Sequence, residues 1–329
     1  MKICNCSIAG LIALWFLAEI HAQEPKSMQR VQTIALKGKA GNLDHLAIDQ
    51  KRQRLFIANK ANNTLDIVDL AAGKLFKQIS GQQAIQGLAY APDLDRIYAG
   101  LGGKGLFNIF NGQTYALIGT HKFQDDSDNV RYDPQTRQVF VAHAENSLAV
   151  VDADSFAVKN DIKLPGDAEG FQVDGNRLYV AIPTPSQVAV VDAQAGNVTQ
   201  NYPIKAAETA TPLVLDSANK RLFIGCRKPP TLVVMDAGSG KEVATVPIAG
   251  EVDDISFDPA RKQLYVSCGE GVLFVIRQTD ADHYEVTEKI ATAPGAKTSL
   301  FVPETNRLFL AVPRQPDKPA AEVWIYQLH

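Results

Sequence analysis

An apolar–aromatic pair recurs seven times along this 329-residue chain, at Leu55-Phe56, Ile97-Tyr98, Val139-Phe140, Leu178-Tyr179, Leu222-Phe223, Leu264-Tyr265 and Leu308-Phe309. Successive pairs are 42, 42, 39, 44, 42 and 44 residues apart. Units of this length cannot bury their apolar faces alone and must stack on one another. A seven-unit array is therefore required before any other pattern is considered.

Each unit reads as strand, turn, strand. In the first, a strand over Leu43–Asp49 leads through Gln50–Gln53 to a second strand ending at Ala58. A third covers Thr64–Asp69 and a fourth Lys74–Ile79, with Asn62-Asn63 between the second and third. Runs rich in Val, Ile, Leu, Phe and Tyr, bounded by Asp, Asn, Gly and Pro, favour strands. No amphipathic helix is expected after residue 23. Four strands per unit predict an all-β, seven-bladed β-propeller with four-stranded antiparallel blades, as one domain over residues 23–329. The seventh unit supplies only three strands, so Arg30–Leu36 is expected to complete it as the outer strand. Closure of this kind covers the terminal blades' apolar flanks and an unpaired edge.

The segments RLFIANKANNTLDIVDLAAGK (Arg54–Lys74), LYVAIPTPSQVAVVDAQAG (Leu178–Gly196) and LFIGCRKPPTLVVMDAGSGK (Leu222–Lys241) resemble the repeat of the YVTN family of secreted β-propellers, which includes the YncE-like proteins. The resemblance covers about residues 41–329, with Phe110 and Arg277 standing where other units have Asp. It implies the propeller fold and secretion. For some YncE-like members it also implies single-stranded nucleic-acid binding. Propellers resembling this one include lactone hydrolases and haem d1-binding domains, an analogy of fold that does not carry function. The WD40 dipeptide signature is absent.

The first 22 residues read differently from the rest. Lys2, an apolar run from Ile8 to Ala18 and Ile20-His21-Ala22 before Gln23 fit a cleaved signal peptide. An uncleaved anchor is the alternative, although the run is short for a membrane span. The expectation is an exported periplasmic or secreted monomer with no membrane span after cleavage. A formal net charge of −3 argues against a surface built to neutralise phosphates.

Most repeat acids read as turn chemistry: Asp69, Asp152, Asp192 and Asp236 close third strands, and Asp133 and Asp258 precede prolines. Gly100 to Gly105 spells GxGxxG, but a strand rather than a helix follows it, so a hairpin is expected and a dinucleotide site is not.

Blade entries are the variable positions. They hold Asp44-His45, Gln86-Gly87, Asp128-Asn129, Glu169-Gly170, Thr211-Pro212, Asp253-Asp254 and Thr298-Ser299. In an up-and-down blade these should ring the channel mouth, with second-strand ends bringing Asn59, His143, Cys226, Arg227 and Cys268 to the same face. The candidate ligand-binding residues are Asp44, His45, Gln86, Asp128, Asn129, His143, Glu169, Arg227, Asp253, Asp254 and Thr298. Solvated loop polarity and a convergent ligand site both explain this ring. Asp128, Glu169 and Asp253 are the candidates for holding a divalent cation, the one cofactor such carboxylates would favour. Cys226 and Cys268 occupy equivalent places in successive blades, too far apart for a disulfide, and are expected as free, semi-buried thiols.

No GxSxG, HExxH, CxxC or CxxCH motif occurs. Three functions follow as expectations. The first is a non-enzymatic propeller binding a small molecule or protein at the blade-entry face. The second is an enzyme, either a metal-assisted lactonase-like hydrolase or a haem d1-type domain, using the same mouth. The third is single-stranded nucleic-acid binding.

Overall fold

The computed structural model describes residues 27–329, so the leader reading falls outside the described residues. Seven four-stranded antiparallel sheets form the molecule, six of them with strands in simple sequence order. Numbered in chain order, the blades have innermost strands Leu46–Asp49, Ile85–Ala91, Ser127–Asp133, Phe171–Asp174, Glu208–Asp216, Val252–Asp258 and Ser299–Val302. Each inner strand contacts those of both neighbouring blades, and the seventh contacts the first, which closes a ring around a central channel.

The closure strand lies where the sequence requires it. Met28–Ala35 pairs antiparallel with Glu322–Leu328 as the outer strand of blade 7, Met28 facing Leu328 and Ala35 facing Glu322. A backbone hydrogen bond from Leu36 to Ala321 (2.8 Å) and one from His329 to Ser27 (3.0 Å) tie both ends of the pair. Met28, Ile34 and Leu36 are buried there, so the joint is a core seam as well as a ladder.

Second strands lie between neighbouring blades and are covered on both faces. Arg54–Asn59 is buried at five of six positions, and all seven apolar–aromatic pairs are within 2% of complete burial. That explains their nearly continuous apolar character, where a half-exposed strand would alternate. Fourth strands alternate or face solvent, as in Lys74–Ser80. Burial of each such aromatic contributes about 2–3 kcal/mol, and the contacts run between blades, as where Phe56 and Ile97 share one cluster.

Local chemistry sets the turns. Lys60–Asn62 forms a single 3-10 turn closed by Asn63 at φ 55°, a left-handed position that Asn tolerates better than most residues. Gly100 to Gly105 connects the paired strands Arg96–Leu101 and Leu106–Asn111, so the glycine-rich run is a hairpin with no helix behind it. Cys226 and Cys268 are free and fully buried, beyond the partial burial expected, and burial pushes both thiols up to about 12.

Candidate site at the channel mouth

The strand register sorts the inner strands into rings. The residue paired with each second-strand aromatic is Ala47, Ala89, Arg131, Gln172, Val214, Ser256 or Leu300. Three residues earlier stand Asp44, Gln86, Asp128, Glu169, Thr211, Asp253 and Lys297. Both rings line one cavity of about 610 Å³ at the blade-entry end of the channel.

The register corrects the sequence reading in blade 7. Leu300 pairs with Phe309 as Ala47 pairs with Phe56, so Lys297 is the counterpart of Asp44 and Thr298 of His45. Ser299 takes the place of Leu46, and its hydroxyl bonds that of Ser267 (2.8 Å), which satisfies a polar group at an apolar position. Thr298 is buried and outside the cavity wall.

The second-strand candidates also move. Asn59, His143, Cys226 and Cys268 share one register position, each three residues past its aromatic, and all are buried between blades. His143 stacks on Phe123 (centroids 4.3 Å apart), and its Nε2 lies 2.9 Å from Asp161. A second-strand side chain points at the neighbouring blade, not the channel. Arg227 lies one residue further on, and its long side chain reaches back to the mouth.

Charges on one side of the mouth are mutually satisfied. Asp253 accepts from the Arg227 guanidinium and has the Lys297 ammonium at 3.3 Å. The Asp254 carboxylate accepts from the Ser299 N–H (2.8 Å) and lies 4.0 Å from His45. Lys60 bonds Gln86 and stands 3.8 Å from Asp44, while Gln86 donates to Asp126 (2.8 Å).

Blades 3 and 4 differ. Among the described residues, Asp128 and Glu169 have no ion pair and no side-chain hydrogen bond. Arg131 donates to the Val130 carbonyl (2.9 Å) and lies over Phe171 at 5.4 Å, with no carboxylate among the described residues paired to it. Asn129, 3% exposed, has an amide oxygen with no donor.

Burial dominates the titration of these groups, because low-dielectric surroundings disfavour the charged form. It holds Asp128 well above the usual carboxylate range, reinforced by Asp44, Glu169 and Asp126. Glu169 is raised by burial and by Asp253. Asp44 and Asp253 are raised by burial despite neighbouring lysines. Asp254 is pushed up to about 8, and burial with Arg131 pushes His45 down to about 4. Asp44, His45, Asp253 and Asp254 still keep 14–18% of their side-chain surface open, and Asp128 and Glu169 are half-buried, so these groups can meet a solute.

The metal candidates do not gather. Asp128, Glu169 and Asp253 come from blades 3, 4 and 6, and Asp253 already carries two cationic partners. No group of three His, Cys, Asp or Glu side chains among the described residues is placed to hold a metal ion. The donor set therefore does not fit a cation cage of several converging oxygens.

Reading from sequence missed Lys60, Arg131 and Lys297. Arg131 left a signal: of the seven residues opposite the aromatics it is the one charged side chain.

No protein-family model and no curated protein sequence matches the chain. Solved structures do. Hydrazine synthase from Kuenenia stuttgartiensis is similar over 84% of this chain and 94% of that one, at 16% identity and a TM-score of 0.74. A chain of the mitotic checkpoint complex is similar over 100% of this chain and 99% of its own, at 12% identity and a TM-score of 0.74. At such identities the likeness is one of fold: the chain is a seven-bladed β-propeller, a scaffold compatible with binding.

Proposed function

We propose that this protein is an exported, non-enzymatic binding propeller of the YVTN, YncE-like kind that takes a small polar molecule at its channel mouth. The observation that carries the reading is the unpartnered set Asp128, Glu169 and Arg131 facing one cavity of about 610 Å³. All three are half-buried, and withdrawing a charge from water without supplying a partner is costly. A ligand that supplies the partners removes that cost. The concave mouth suits a small molecule better than a flat protein contact, and its carboxylates disfavour a phosphate backbone. The repeat segments and the leader-like residues 1–22 support family and export. Amino-terminal sequencing of the protein from the periplasmic fraction should begin at Gln23.

A thermal-shift screen of residues 23–329 against polar metabolites tests the binding reading. A ligand at 100 times its Kd stabilises by about 2.7 kcal/mol. Glu169→Ala combined with Asp128→Ala should abolish the shift. A shift of undiminished size in that double variant would place binding elsewhere.

A further inference from the structure

Resting on the mouth being a ligand site, we infer that the arc of blades 3 and 4 selects a small zwitterion, its ammonium held by Asp128 and Glu169 and its carboxylate by Arg131. The opposite arc offers little to a charged ligand, because Asp253 with Arg227 and Lys297, and Lys60 with Gln86, are already engaged. Selectivity must come from the groups still lacking partners, and these have both signs.

Arg131 is equipped for a carboxylate. Of the roughly five N–H donors of a guanidinium, one bond goes to the Val130 carbonyl, and the plane rests over Phe171. The remaining fork matches a carboxylate's two oxygens. Asp128 and Glu169 stand one ring further out, both lining the cavity, and Asn129, next to Asp128 on the same strand, has an amide oxygen with no donor. An ammonium donates three hydrogen bonds and accepts none, which suits that set.

One strand carries both poles. Asp128 and Arg131 are three residues apart, and the strand bulges between Ser127 and Val130, which lets both side chains line the cavity. A purely cationic or purely anionic ligand would leave one pole of the arc uncompensated. An amino acid, or a short ω-amino acid, satisfies both.

The test uses residues 23–329 in calorimetry and thermal shift with the twenty standard α-amino acids, β-alanine and γ-aminobutyrate. The best binder is then compared with its N-acetyl form, which lacks the cation, and its amide, which lacks the anion. Each capped form should bind about 30-fold more weakly or worse, as expected for losing one partner of a desolvated charge pair. Arg131→Met should weaken the zwitterion similarly while leaving the amide unchanged, and Asp128→Asn should weaken the zwitterion while leaving the N-acetyl form unchanged. The capped ligands test wild-type protein and do not depend on either variant folding. A capped form binding as tightly as the zwitterion would overturn the inference. So would a screen in which no zwitterion binds but another polar compound does, an outcome that leaves the binding reading standing. Absence of any mouth ligand in the wider screen would remove both.

Discussion

Asp254 and Asp258 lie four residues apart on one strand, at opposite ends of the channel, and their surroundings have little in common. Asp258 accepts from the backbone of Ala260 (3.0 Å) and Arg261 (3.2 Å), from the Arg261 guanidinium (2.9 Å) and from the Tyr265 hydroxyl (3.3 Å). Asp254 accepts one backbone N–H. Blade 3 repeats the contrast: Asp133 bonds Gln135 N–H and the Thr136 hydroxyl, and Asp128 bonds nothing among the described residues. Acids on the turn face are solved locally, by N–H groups two and three residues downstream. Acids on the mouth face depend on neighbouring blades or on a solute.

Titration divides the same way. On the turn face, bonds from Ser155 hold Asp152 down at about 2, and bonds from Ser239 lower Asp236. On the mouth face, burial raises Asp44, Asp128, Glu169, Asp253 and Asp254. One face is built for stability. The other carries a cost that a binding site would use.

Removing a turn-face acid should give the largest effect. Asp258→Ala strands two backbone donors and a guanidinium, and is expected to cost about 3 kcal/mol in denaturant unfolding. A loss below about 0.5 kcal/mol, the range of ordinary surface substitutions, would erase the distinction between the faces.

The pH dependence tests the same contrast from the mouth face. Asp254 has a folded value of about 8 against an ordinary 3.8. A raised value means that the native state holds the proton more tightly. Its contribution is therefore full below about pH 4 and is lost as the pH rises through about 8. Asp254→Asn should flatten the stability profile across that window. Asp152 has the opposite sign, its contribution being present above about pH 4 and lost toward pH 2, and that limb should persist in the variant. An unchanged slope between pH 4 and 8 in Asp254→Asn melts would contradict the assignment.

Asp128→Asn should have the smallest effect on stability. Replacing an unpartnered, half-buried acid by its neutral isostere should be neutral or stabilise by up to about 1 kcal/mol. Destabilisation of the size expected for Asp258→Ala would reveal a structural role for Asp128 and bring the two faces together.

Much of this molecule was legible in the repeat. The seven aromatic pairs carried blade number, strand order and the closure of blade 7, because burial on both faces demands the same apolar residues in every unit. Turn acids were legible for a related reason: their partners lie within three residues, so the chemistry is written locally. Asp133 and Asp152 needed no knowledge of the ring.

The mouth was only half legible. Variation at the blade entries located Asp44, Asp128, Glu169 and Asp253, but Ser299 in an apolar slot hid Lys297 by one residue. His143 and Cys226 looked alike from spacing, yet second-strand side chains turn between blades and only the longer Arg227 reaches the channel. Which charges pair was decided by closure of the ring, since Asp253 meets Arg227 and Lys297 from the two blades on either side. The sequence by itself determined the repeat and its local turns, whose interactions are short in sequence and recur from blade to blade. Only the tertiary structure decided that Asp128, Glu169 and Arg131 remain unpartnered, because pairing across a channel depends on distances between residues up to a full ring apart.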